Sequence, residues 1–217
     1  MSNKKLILIG GGGHCRVVIS QLRKINSFEI VGIIDNYKPI GSKVLDVEII
    51  GKDEDLKRFY DMGIQYALIT LGSVRDNLKR QMLFDLAKKV GYKFPIIISP
   101  EALIDKNVNI DEGTVIMPGS ITNVGSIIGK NCIINSGAII EHDCKIGDHC
   151  HVAPGVHMSG EVEIEDLAFI GIGSTVIQGI KIGKNATIGA GSVVIRDVPE
   201  NVIAVGNPVR VIKNKDG

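Results

Sequence analysis

The stretch GAIIEHDCKIGD, residues 137–148, sets His142 between Glu141 and Asp143. An imidazole titrates near neutrality, so it can take a proton from an attacking amine or hydroxyl and release it afterwards. A carboxylate beside it can fix the tautomer and stabilise the imidazolium. Glu141 and Asp143 are both candidates for that carboxylate, and Asp143 could instead reach a neighbouring subunit. The same three residue types also suit a solvated turn, so type alone leaves catalyst and turn residue both open. His142, His149, His151 and His157 together raise the question of zinc. Their spacings of 7, 2 and 6, with neither CxxC nor HExxH in the chain, argue against a metal centre. His149 reads as a solvated corner residue. His157 reads as an outward strand residue with an interface or a chemical role.

A second group with chemical potential opens the chain. KLILIGGGG is a strand running into a glycine loop, and a tight glycine turn at a helix N-terminus offers backbone amides to a phosphate. Gly10 and Gly12 begin a dinucleotide fingerprint, but Cys15 stands where its third glycine belongs, which argues against a nicotinamide dinucleotide. Asp35 ends the next strand at the same carboxyl edge, and Gly72, Ser73 and Arg75 follow a later one. A nucleotide-diphospho-sugar suits the ninety-odd residues of this region better than a full dinucleotide.

The elements that position these groups follow from two patterns. Up to residue 95, strand and helix signals alternate: HCRVVISQLRKI, DEDLKRFYDMG and RDNLKRQMLFDLAKKVG as helices, EIVGIID, QYALITLG and KFPIIIS as strands. That alternation predicts a small Rossmann-like parallel α/β sheet of about four strands. From Ile104 to Val194 every sixth residue is aliphatic except Thr122, over sixteen uninterrupted hexads. The residue two positions before each is small or β-branched, and Gly, Asn, Asp and Pro occupy the turn positions. Three residues of each hexad make a short strand with its outer two side chains inward, and three make a corner. Three hexads close one triangular coil of eighteen residues, the register of a parallel β-helix. Cys132 and Cys150, eighteen apart, then stack as small fillers about 4.8 Å from each other.

In this register His142 falls in a corner, free of the core, and Gly160 lies one coil along at the same corner. A backbone amide without a side chain can approach a reacting centre closely, which makes Gly160 the candidate donor to a tetrahedral oxyanion. Cys144 is inward, so for an acyl transfer at this corner direct attack in a ternary complex would be favoured over a covalent acyl-enzyme. The outward position is apolar in early hexads (Val115, Ile121, Ile127, Ile133, Ile139) and polar later (Lys145, His151, His157, Glu163). A monomer exposing that apolar surface is unstable in solution, so the N-terminal domain and other subunits must cover it, and a homotrimer is expected.

Bulk composition narrows the partners. Lys plus Arg number 25 against 24 for Asp plus Glu in 217 residues, so no basic field attracts nucleic acid or a membrane surface. No apolar run is long enough to span a bilayer or to act as a secretory signal, so no membrane insertion is expected. Four cysteines without CxxC spacing suit reduced thiols in the cytoplasm.

The register resembles the left-handed β-helix of hexapeptide-repeat acyltransferases. Together, IGGGGHCRVV, IIDN, TLGSVRDN, ISPEA, IIEHDCKIGD and AVGNPVRVI resemble the bacterial sugar O/N-acetyltransferase family across essentially the whole chain. Its members include sialic acid O-acetyltransferases and the 4-amino-sugar N-acetyltransferases of bacillosamine and perosamine pathways. The resemblance implies a nucleotide-sugar-binding α/β domain over residues 1–95 and a left-handed β-helix acyltransferase domain with a C-terminal tail over 96–217. It further implies His142 as general base and Asp143 as the carboxylate that raises its basicity. Gly12, Gly13, His14, Asp35, Asn36, Gly72 and Arg75 would contact the nucleotide sugar, and His151, Ile172 and Ala190 would contact acetyl-CoA, bound between trimer neighbours, with no metal. Lys145, Lys181, Lys184 and Arg210 suit either solubility or the coenzyme's phosphates. The expected reaction is N-acetylation of a nucleotide-linked 4-amino-deoxy sugar for surface glycan or glycoprotein synthesis. O-acetylation of a sialic acid and a non-catalytic nucleotide-sugar-binding module are the alternatives.

Overall fold

The computed structural model describes residues 4–73 and 76–215. They divide into two compact units, Met1–Gly72 with Lys79–Ile97, and Ser73–Leu78 with Ile98–Gly217. The second unit thus borrows a six-residue excursion from the earlier chain.

The first unit contains β1 (Lys4–Ile9), α1 (Gly13–Ile25), β2 (Phe28–Ile34), β3 (Lys43–Val44), β4 (Val47–Gly51), α2 (Leu56–Asp61), β5 (Tyr66–Ile69) and α3 (Leu78–Val90). The sheet order is β3-β4-β2-β1-β5, with β1 parallel to both β2 and β5. A central parallel strand is covered on both faces, which is why Leu6, Ile7, Leu8 and Ile9 form a continuous buried run. α1 buries Cys15, Val18, Ile19 and Leu22, a stripe with helical spacing.

Two details depart from the sequence reading. The chain turns at Leu45, with φ of 56°, to pair β3 with β4 as an antiparallel hairpin. That turn lacks the Asn-Gly type of signature, so nothing in the composition announced it. KFPIIIS does not add a strand to this sheet. Lys93 makes an isolated bridge with Tyr66, Pro95 has no amide to donate, and Ile97–Ile98 ends one sheet of the β-helix.

The second unit is a left-handed parallel β-helix with three flat faces. The first face stacks the strands beginning at Leu103, Ile121, Ile139, His157, Thr175 and Val193. Asn109, Ile127, Lys145, Glu163 and Lys181 begin those of the second, and Val115, Ile133, His151, Phe169 and Thr187 lead on the third. Partners across each ladder are eighteen residues apart, as with Ile139 and His157. Val202–Val205 extends the third face, and Arg210–Asn214 closes it as an antiparallel edge.

Inside the prism the aliphatic column is dry: Ile116, Ile134, Ile140, Val152, Ile170 and Ile188 are all 0% exposed. Each such side chain contributes roughly 1.5–3 kcal/mol on burial. The small inward residues do more than fill space. Thr114, Ser126, Cys132, Cys144, Cys150 and Ser174 each donate a hydrogen bond to a corner carbonyl fifteen residues on: Gly129, Glu141, Gly147, Ser159, Glu165 and Gly189. A thiol here is therefore a small core residue that also satisfies a backbone acceptor. Burial pushes the pKa of Cys150 well above the ordinary thiol value, as suits an inert group. The four cysteines are unpaired.

Outward apolar positions meet different fates. Val115 and Ile133 on the third face are fully buried, whereas Leu103 on the first is 66% exposed and Ile127 on the second 46%. His149 corrects the solvated-corner expectation. It is buried at a left-handed corner, and its Nδ1 lies 3.0 Å from Asn131 Nδ2, eighteen residues earlier. Stacked corners shield one another, so a corner residue is open only where its neighbours in the column leave it so.

Candidate active site

The corner between the first and second faces carries His142. Asp143 follows it in the left-handed region, φ 58°, as do Gly125, Glu161 and Gly179 in the same column. This backbone bend turns the Asp143 carboxylate back on its neighbour, with Oδ2 3.0 Å from His142 Nδ1. A Cβ on Gly125 would strike Asp143 Oδ1, so the glycine one coil below makes the seat for that carboxylate. Glu141, the other candidate, accepts instead from Asn123 Nδ2 at 2.8 Å. The Asp143 hydrogen bond raises the pKa of His142 above its ordinary value. It also assigns the proton of neutral His142 to Nδ1 and leaves the lone pair on Nε2.

Nε2 lies over Gly160. A Cβ at Gly160 would stand 2.5 Å from both Nε2 and Cε1 of His142, closer than any side chain tolerates, so only glycine leaves room for this ring. The structure thus brings together His142, Asp143 and Gly160. The imidazole remains open, with 46% of its side chain exposed.

A different corner, between the third and first faces, borders an apolar cavity of about 590 Å³. His151, Ile172 and Ala190 all line it, with Ala153, Pro154 and Phe169 among their neighbours. His151 is buried, its ring edge-on to Phe169 at 5.2 Å between centroids. Ser73, from the excursion, forms part of the same wall and touches His151. Ser73 was legible as a strand-end residue; Asn77, bonded to Ser73, and Asn135, 3.1 Å from His151 Nε2, were not singled out in the sequence.

In the first unit Gly12, Gly13, His14, Asp35, Asn36 and Gly72 gather beyond the carboxyl ends of β1, β2 and β5. Gly10, φ 102°, permits the turn, because a Cβ there would meet the Leu71 backbone at 2.7 Å. No atom comes within 4 Å of where a Cβ would stand on Gly12 or Gly13, so the start of α1 is open. A Cβ on Gly72 would lie 3.0 Å from that of His14. Asp35 accepts amide hydrogens from Gly11 at 2.7 Å, Tyr37 at 2.8 Å and Lys38 at 3.0 Å. Burial works to raise its pKa, and these three amides outweigh it, holding the carboxyl below its usual value. Asn36 is held by Asp53, donating to Oδ2 at 2.6 Å and accepting the Asp53 amide at 3.0 Å. Tyr37 and Lys79, which the sequence did not single out, line a cleft with Asp35, Asn36 and Asp53. Lys79 donates to the Tyr37 hydroxyl at 2.8 Å. Arg75 lies outside the described residues.

Among the described residues no group of histidine, cysteine and carboxylate side chains is arranged to hold a metal, and no helix is long and apolar enough to cross a membrane.

Known proteins share this fold. A family model described as the PglD N-terminal domain matches residues 5–87, and one described as bacterial transferase hexapeptide (six repeats) matches 125–160 and 161–196. PerB from Caulobacter crescentus, solved in complex with CoA and GDP-perosamine, is 35% identical with a TM-score of 0.90, over 96% of this chain and 97% of that one. A histidine-to-alanine variant of a GDP-perosamine N-acetyltransferase from the same organism is 34% identical with a TM-score of 0.90, over 97% of each chain. The acetyltransferase domain of PglB from Neisseria gonorrhoeae, in complex with acetyl coenzyme A, is 29% identical with a TM-score of 0.88, over 97% of this chain and 100% of that one. No curated protein matches the sequence.

Proposed function

The chain belongs to the bacterial sugar O/N-acetyltransferase family, and on that premise we propose that it transfers acetyl from acetyl-CoA to the 4-amino group of a nucleotide-linked amino-deoxy sugar. The observation that carries this reading is His142, bonded through Nδ1 to Asp143 and resting with Nε2 against Gly160. Binding of GDP-perosamine and CoA by PerB, at 35% identity over nearly the whole chain, supports the substrate class.

In this reading the neutral amine attacks the thioester carbonyl directly. A C–N bond forms, and the carbonyl oxygen becomes an oxyanion facing the Gly160 amide. His142 Nε2 takes the proton from the amine nitrogen, and Asp143 stabilises the imidazolium. The C–S bond then breaks, and the coenzyme leaves as a thiol after receiving that proton. Gly12, Gly13, His14, Asp35, Asn36 and Gly72 form the nucleotide-sugar end, in a domain spanning residues 1–95. The open start of α1, where amides could receive a phosphate, and the Asp35-braced glycine loop are the supporting features. His151, Ile172 and Ala190 line the acyl-donor cavity.

This cavity and His142 occupy different corners of one prism. A donor bound to one subunit is therefore served by the His142 of its neighbour, in a homotrimer. The exposed Leu103 and Ile127 supply apolar surface for such packing. Cysteines without disulfide partners and acetyl-CoA as donor suit a reaction in the cytoplasm, upstream of surface glycan assembly.

A thiol-release assay with acetyl-CoA against UDP- and GDP-linked 4-amino sugars and free sialic acid tests the reading. Turnover of a nucleotide-linked amine supports it; turnover of sialic acid alone replaces it with O-acetylation. Sedimentation as a stable monomer would overturn the shared site.

A further inference from the structure

We propose that Ser73, Asn77 and Asn135 are positioning residues of the acyl-donor cavity, locking His151 in its neutral Nδ1–H form as a fixed, uncharged wall. The ligand half of this proposal rests on the reading of that cavity as the acetyl-CoA site.

The lock follows from donor and acceptor bookkeeping that starts at backbone groups whose roles cannot change. The carbonyls of Leu167 and Ala168 can only accept, and Asn77 Nδ2 lies 3.1 and 3.0 Å from them. The Asn77 amide is therefore oriented with Oδ1 toward Ser73, and the Ser73 hydroxyl donates to it. Having spent its hydrogen there, Ser73 Oγ must accept from His151 Nδ1, 3.0 Å away. The Ser73 carbonyl, 3.1 Å from the same nitrogen, independently demands a hydrogen on Nδ1.

The opposite edge of the ring is set by a separate anchor. The Ser136 amide donates to Asn135 Oδ1 at 2.9 Å, which turns the Asn135 amino group toward His151 Nε2 at 3.1 Å. Nε2 must then carry a lone pair. Two asparagines, each oriented by backbone it cannot reverse, specify the same tautomer from both sides of the ring. An imidazolium would face an N–H of Asn135 with one of its own.

An uncharged wall suits its surroundings. Ala153, Ile172, Ile188, Val205 and Ile212 line the same cavity, and a charge placed among them would cost far more than a satisfied neutral ring. Ser73 and Asn77 are thus a built part of the acyl-donor wall, which accounts for their belonging with the β-helix rather than with the first unit.

Ligand-free protein labelled with 15N-histidine provides the test. Long-range proton–nitrogen correlations should give His151 a pyrrole-type Nδ1 and a pyridine-type Nε2, the signal being assigned by its loss in His151→Gln. Ser73→Ala removes one of the two acceptors at Nδ1, so it should move the Nδ1 resonance while the Ser73 carbonyl and Asn135 keep the Nδ1–H form, and it should raise KM for acetyl-CoA by roughly 2- to 10-fold, the size of one lost hydrogen bond, with kcat little changed. Ser73→Thr, which keeps the hydroxyl, should restore both. An Nε2–H or imidazolium signal in the unsubstituted protein would overturn the lock. So would a Ser73→Ala protein with unchanged Nδ1 resonance and KM. Failure of acetyl-CoA to bind at all would overturn the ligand half alone, and the ligand-free spectrum separates that outcome from a failure of the lock.

Discussion

His142 and His151 stand nine residues apart on the same β-helix and have opposite surroundings. His142 occupies a corner between the first and second faces, half exposed, with one nitrogen on a carboxylate and the other over a glycine. His151 begins a strand of the third face, buried, with hydrogen-bond partners at both nitrogens. A proton acceptor needs a nitrogen left unspent; a wall needs none. In the proposed reading the same side chain serves as one or the other according to its place in a six-residue register and what lies one coil away.

The widest gap between the two should appear on truncation. His142→Ala is expected to lower kcat by roughly 10²- to 10⁴-fold, the usual range for a lost general base, while acetyl-CoA binding measured by calorimetry is retained. Near-normal turnover would remove His142 from the mechanism. Gly160→Ala probes the same corner from the other side. Its methyl would displace the ring, and with the amide approach obstructed kcat should fall by about 10²- to 10³-fold with the circular dichroism spectrum intact.

Asp143→Asn sharpens the contrast through pH. The Asp143 hydrogen bond raises the pKa of His142, and a base works only when unprotonated. Activity is therefore present above that pKa and lost as pH falls through it. Removing the carboxylate should move the acidic limb of the kcat profile to lower pH and lower its plateau by about tenfold or more. A limb that stays in place would assign it to another group. At the small end lies Lys145→Ala. Lys145 meets Glu163 at 3.0 Å on the exposed second face, between solvated side chains. Such a pair contributes about 0–1 kcal/mol, and turnover should not change.

Much of this was legible in the residues, for a physical reason. A β-helix repeats one local solution, so the hexad register alone identified the inward column, the corner of His142 and the glycine above it. The inward place of Thr122, the one polar member of that column, followed from register against its type. The remainder depended on contacts without periodicity. His149 was misread because Asn131, one coil below, shelters it. The β3–β4 hairpin turns on a leucine, and Pro95 diverts a segment that looks like a sheet strand. Asp35 could be placed at a strand end, but not that three amides of its own loop would engage it. Nor could Asn77 be linked to His151, seventy-four positions away.

The eighteen-residue coil imposes a grammar of length on descendants of this chain. Gly125, Asp143 and the His142–Gly160 pair are assembled across successive coils. Deleting a single residue between them would rotate every later side chain out of phase and scatter the constellation. A whole coil added beyond Gly160 or before Gly125 would instead leave those residues in place, as stacked repeats contact only their neighbours. Length in this half of the molecule can therefore change in steps of eighteen, and the His142 corner tolerates growth at either end but no insertion within.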